Sequence, residues 1–190
     1  MMNTRIELID KYAHAFRDLI NTKIRPSPHD IRQTLHLSKD EDWFFLCVSM
    51  NIVEDASTAI LNFIKFGLNG PTKYDDVGEK YLRLYGLLSA TYIQQQALLK
   101  LYQLMNVPPS LKKARELIDK LLIRSLRHKL GPHSTSYRSK AGNLIQAYVP
   151  VRSELRGFNC TYARNGRGNH VSVDLKEALN EHLNDDKHAG

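Results

Sequence analysis

Apolar residues recur at helical spacing through most of the first 130 positions, and the spacing stops near Gly131. Over residues 3–24, Ile6, Ile9, Tyr12, Ala13, Phe16, Leu19 and Ile20 form one stripe, which predicts an amphipathic helix. Pro26 and Pro28 in "RPSPHD" end it, because proline lacks the amide proton that a helix interior uses. A short helix through "HDIRQTLHL" follows, with Ser38 as capping candidate for the next one. That next helix, about 40–67, is apolar over a wide arc that includes Trp43, Leu46, Cys47, Val53, Ile60 and Phe63, which predicts a central position. The turn "GLNGPT" leads to a second long helix, about 73–105, with Tyr81, Leu84, Tyr85, Leu88, Tyr92, Leu99 and Tyr102 on its apolar side. "NVPPS" breaks the chain, and Ser110 opens a helix that "LKKARELIDKLLIRSLRHKL" carries to Gly131. Helices joined by such short turns predict an antiparallel bundle.

After residue 140 the texture changes. "NLIQAYVPVRSEL" and "FNCTYARNGRGNHVSVDL" carry β-branched and aromatic residues in partial alternation around Asn165-Gly166, which predicts a β-hairpin or a small three-stranded appendage. Asp174 then caps a short helix, "LKEALNEHL". The expected class is mainly α: an antiparallel helical bundle over residues 1–140, with a small C-terminal β-hairpin and short helix over 141–190 packed on it.

Hydrophobic content of 42% and charged content of 25% are ordinary for a globular chain, but a net charge of +7 admits an anionic partner. The two cysteines, Cys47 and Cys160, form no paired motif, and Cys47 reads as a small core residue. No secretory leader follows the first residues, and the longest apolar run is about eight residues against the roughly twenty of a span. These features point to a cytoplasmic chain without a membrane partner. A Walker loop, a dinucleotide-binding glycine fingerprint, GxSxG and HExxH are all absent, so no cofactor or metal is expected.

Candidate chemistry concentrates in "IRSLRHKLGPHSTS", Ile123 to Ser136, where Arg124, Arg127, His128, Lys129 and His133 crowd a Gly-Pro break. Cutting RNA without metal requires removal of the 2′-hydroxyl proton, protonation of the leaving 5′-oxygen, and a cation against the crowded phosphorane. Histidine suits the proton tasks because its pKa lies near neutral, and arginine suits the third through its planar, permanently charged fork. On an unbroken helix Arg127 and His133 would not share a face. Gly131 in a left-handed conformation, followed by Pro132, would end the helix and fold His133 back towards Arg127. Arg124 precedes Arg127 by three positions and so lies on its side of the helix. The plainer reading is a basic last turn complementing the helix dipole. With 13 arginines and 8 histidines, chance supplies about 1.6 such spacings, and a second stands at Arg164 and His170.

With an all-helical domain around it, "RHKLGPH" resembles the signature of the HEPN family: an arginine, then often Asn, Asp or His, then a few residues and a histidine. Arg127, His128 and His133 match it position by position, and "GEKYLRLYGLLSATYIQQQALLKLY" looks like that group's long second core helix. The resemblance covers about residues 40–135. It implies a metal-independent endoribonuclease cleaving RNA where two protomers of a homodimer bring their motifs together, in many members for phage defence or as a toxin. By that resemblance Arg127, His128 and His133 are catalytic; Arg124 and Lys129, as neighbouring cations, are expected to attract RNA phosphates. Two features depart from the family pattern: the Gly-Pro within the motif and the β-like appendage.

Glu54 and Asp55 interrupt an apolar helix and read as a solvated face ahead of orienting carboxylates for Arg127. Tyr81, Tyr85 and Tyr92 read as core packing ahead of base stacking, and Gln94, Gln95 and Gln96 cannot all face one way. The alternative function is a non-catalytic nucleotide-, RNA- or protein-binding module, and a DNA-binding regulator ranks last.

Overall fold

The computed structural model describes residues 2–23, 28–72, 74–106, 108–131, 137–138, 145–165 and 168–183. Among these the chain is mainly α, with a small antiparallel sheet at its C-terminal end. Helix α1 spans Met2–Lys23, α2 Pro28–Thr34, α3 Asp42–Phe66, α4 Val77–Met105, α5 Leu111–Lys120 and α6 Leu122–Leu130. The pairs β1 (Tyr137–Arg138) and β2 (Ile145–Gln146) form a two-stranded ladder. Strands β3 (Tyr148–Pro150), β4 (Asn159–Arg164) and β5 (His170–Asp174) make a three-stranded antiparallel sheet, and α7 (Leu175–Leu183) follows. The Asp174 carboxylate accepts the Lys176 amide at 2.7 Å, the cap expected at that position.

The chain divides into two compact units, residues 1–58 with 93–118 and residues 59–92 with 119–190. The β elements thus belong with the motif segment, and α3 and α4 each contribute to both units. In the first unit Ile6, Ala13, Leu46, Val53, Ala56, Ala97 and Ala114 are buried. Contacts of Phe45 with Lys100 and of the Gln94 amide with the Ser57 hydroxyl show α3 and α4 running antiparallel there. Gln94 and Gln95 are buried and Gln96 is exposed, as three consecutive helical positions must be.

In the second unit the core is Ile60, Phe63, Leu84, Leu88, Ile123, Leu126, Leu155, Cys160, Leu175 and Leu179. Burial raises the Cys160 thiol to about 11, so it is inert. Cys47, expected in the core, is only partly buried on α3. By length and composition α3 could cross a bilayer. Its middle, however, carries Glu54 and Asp55, and Glu54 takes the Arg17 guanidinium at 2.6 Å. Ser38 stands four residues ahead of α3, whose first turn is instead tied by the Asp42 carboxylate to the Lys39 amide.

The single helix expected up to Gly131 is two helices, broken at Leu121, whose ψ of 136° is extended. No glycine or proline marks the break. It exists because the Glu181 carboxylate on α7 accepts the Leu122 amide at 2.8 Å, a bond that a continuous helix would have given to a carbonyl four residues back. An apolar Leu121 cannot cap α6, so a residue from another helix does so. Glu181→Ala is therefore expected to cost about 1–2 kcal/mol in urea unfolding, with Glu181→Gln costing less than half of that. Equal midpoints for all three proteins would refute the capping role.

Candidate functional site

Helix α6 is short and strongly sided. Ile123, Leu126 and Leu130 are buried, which leaves Arg124, Arg127, His128 and Lys129 on its flanks and outer face. The helix ends at Gly131, whose φ of −92° is not left-handed as expected. Glycine is required here by proximity instead: a Cβ would stand 2.5 Å from the Arg127 carbonyl, which already accepts the Gly131 amide at 2.9 Å. His133 lies outside the described residues.

Two of the basic residues converge on one ring. The Arg127 guanidinium sits 3.9 Å from the Tyr92 ring centroid, and that of Arg124 sits 4.5 Å from the same ring. Spaced three apart on α6, both reach back to α4, and the electron-rich face of tyrosine holds them together. Arg124 is 12% exposed and stands 3.5 Å from the Asp119 carboxylate, which offsets one of the two charges. Among the described residues no carboxylate pairs with Arg127, so this side of α6 keeps a net positive charge.

Lys129 goes elsewhere. Two positions beyond Arg127, it is turned about 200° around the helix. Its ammonium donates to the Tyr162 hydroxyl at 3.3 Å and lies near the Tyr148 and Tyr162 rings, so it clasps α6 to the sheet. His128 is half-buried. Glu54 is committed to Arg17, and Asp55 is exposed. The second Arg-His spacing also differs from the first: His170, at the start of β5, lies 3.8 Å from the Glu154 carboxylate. Among the described residues no three His, Cys, Asp or Glu side chains are placed to hold a metal ion.

The residues that sequence reasoning missed are Tyr92, as a platform for two arginines, and Asp119, as the counter-charge. Tyr92 had been assigned to the core. Asp119 precedes Arg124 by five positions, outside the helical i,i+4 reach, and only the break at Leu121 brings the two together. No protein-family model, curated protein or solved structure matches this chain.

Proposed function

We propose that this chain is a HEPN-type, metal-independent endoribonuclease. What supports the reading most is Arg127: a guanidinium fixed against a tyrosine ring, partly exposed, and without a carboxylate partner among the described residues. Such a group suits two oxygens of one phosphate, because its planar fork is already oriented and its charge is not yet spent. In the proposed reaction the 2′-oxygen attacks the neighbouring phosphorus as a base takes its proton. The bond from phosphorus to the 5′-oxygen breaks, and an acid protonates that oxygen. The products are a 2′,3′-cyclic phosphate and a 5′-hydroxyl. Arg127 stabilises the charge on the phosphorane, His133 serves as acid or base, and His128 supports either role. Two copies of the chain bring their motifs together in a cytoplasmic homodimer that acts in phage defence or as a toxin.

The test is cleavage of single-stranded RNA with EDTA present. Wild type is expected to release cyclic-phosphate ends, while Arg127→Ala and His133→Ala each lose at least about a hundredfold in rate. Equal rates in the three proteins would end these assignments. One observation favours a second reading, a non-catalytic nucleotide-, RNA- or protein-binding module whose basic helix end completes the fold: Arg124 and Lys129 are both engaged within it, as a helix-anchoring set would be. That reading expects no cleavage by any of the three proteins, alongside RNA binding that weakens with salt or a stable complex with a protein partner.

A further inference from the structure

Tyr85 is 43% exposed on α4, although its place on the apolar side of that helix assigned it to the core. Its ring stacks on that of Tyr81, with centroids 5.8 Å apart and planes 28° from parallel. Seven positions further along α4 comes Tyr92, where Arg127 is held. Seven residues turn a helix by nearly two full revolutions, so Tyr85 and Tyr92 point the same way within about 20° and lie about 10 Å apart along the axis.

Among the described residues, the outward-facing α4 positions between them carry no charge. Ser89 and Gly86 are exposed, and a Cβ built on Gly86 meets nothing within 4 Å, so a ligand can approach the helix backbone closely there. Helix α4 carries no carboxylate after Glu79, so nothing on it repels a phosphate chain that runs from Arg127 towards Tyr85. Burial and the neighbouring Tyr81 hydroxyl raise the Tyr85 pKa, which keeps the phenol neutral.

We propose that Tyr85, backed by Tyr81, is the stacking platform for a base of the single-stranded RNA whose phosphate Arg127 holds, and so positions that strand along α4. Ten ångströms is the reach of about three stacked nucleotides at about 3.4 Å each, which places the stacked base within three nucleotides of the held phosphate. The platform accepts any base, because every base offers a flat face. The inference rests on the ribonuclease reading for the phosphate at Arg127, and adds a residue that the motif does not contain.

The experiment uses a short single-stranded RNA carrying 2-aminopurine at successive positions, whose fluorescence is quenched on stacking, together with the same RNA made abasic at the quenched position. Wild type and Tyr85→Phe are expected to quench one position and to bind with similar Kd. Tyr85→Leu is expected to leave it bright and to raise Kd about tenfold for the intact RNA, with little change for the abasic one. If Tyr85→Leu quenches and binds as wild type does, while Arg127→Ala loses binding, the platform is refuted and the phosphate site stands. If Tyr85→Leu weakens intact and abasic RNA equally, the tyrosine acts only through the fold and the platform is likewise refuted. Absence of any RNA binding by wild type would remove both proposals.

Discussion

Arg83→Ala is expected to lower unfolding stability by about 3–4 kcal/mol, the largest loss expected of any substitution outside the apolar core. The reason is the number of groups that depend on one guanidinium. Its Nε donates to the Gly67 carbonyl at 2.5 Å, and Nη2 donates to the carbonyl and side-chain oxygens of Asn62 at 3.2 and 3.1 Å. It lies 5.9 Å from the centroids of both Phe63 and Phe66, and its side chain is 12% exposed. Together these contacts close the C-terminal end of α3, where the last carbonyls have no partner within the helix. The next residues are equally constrained. Gly67 has φ +60°, and a Cβ on it would stand 2.5 Å from the Gly157 carbonyl, which accepts the Leu68 amide at 2.7 Å. Removing Arg83 leaves the buried Gly67 carbonyl without its donor, where no water replaces it cheaply. Arg83→Lys is expected to recover less than half of the loss, because an ammonium cannot reproduce the planar fork. A loss below about 1 kcal/mol in urea unfolding for Arg83→Ala would contradict this account.

The second large effect is one of pH. Burial pushes the His182 imidazole on α7 down to about 4, so the folded chain holds it neutral. In the unfolded chain the same group takes up a proton near its ordinary 6.5. Above 6.5 neither state is protonated and the group has no effect on stability. As the pH falls from 6.5 towards 4, only the unfolded state binds the proton, so stability falls with it. At about 1.4 kcal/mol per pH unit this amounts to about 3 kcal/mol by pH 4. His14 works in the opposite sense, since the Asp10 carbonyl and carboxylate raise its pKa, but it is exposed and solvent screens it. Urea unfolding measured from pH 7 to pH 4 should therefore show a slope that His182→Leu flattens. An unchanged slope in that variant would assign the acid sensitivity to other groups.

The helices were legible because burying one face of a helix leaves a periodic trace in the chain. Ile6, Leu46, Ile60, Leu84 and Leu88, all at apolar positions of that trace, are the residues the fold buries. The two central helices end within a residue or two of the C-terminal boundaries read from "GLNGPT" and "NVPPS". The break at Leu121 was not legible, since its cause, the Glu181 carboxylate, lies 59 positions further on. Periodicity also assigned Tyr85 to the core, where the fold leaves it exposed. An aromatic ring at an apolar position reads the same whether it packs inside, as a core residue would, or lies under an arginine, as Tyr92 does. The same limit applies to Glu54: a carboxylate in an apolar helix needs a cation, but the residues around it do not say that the cation is Arg17 on α1 rather than Arg127.

By itself, then, the chain determined its helical class, the positions of its turns, its positive charge, and the helix end at which arginines and histidines crowd together. Each of these is local, or a sum over residues. Tertiary structure alone decided what the basic residues of that segment do. Arg124 and Arg127 share one ring, Lys129 clasps the sheet, and Tyr85 stands exposed two turns along α4 from the arginine pair. The physical reason is that a cation's role depends on which anions and rings surround it in space, and those neighbours come from α4 and the sheet, tens of residues away along the chain.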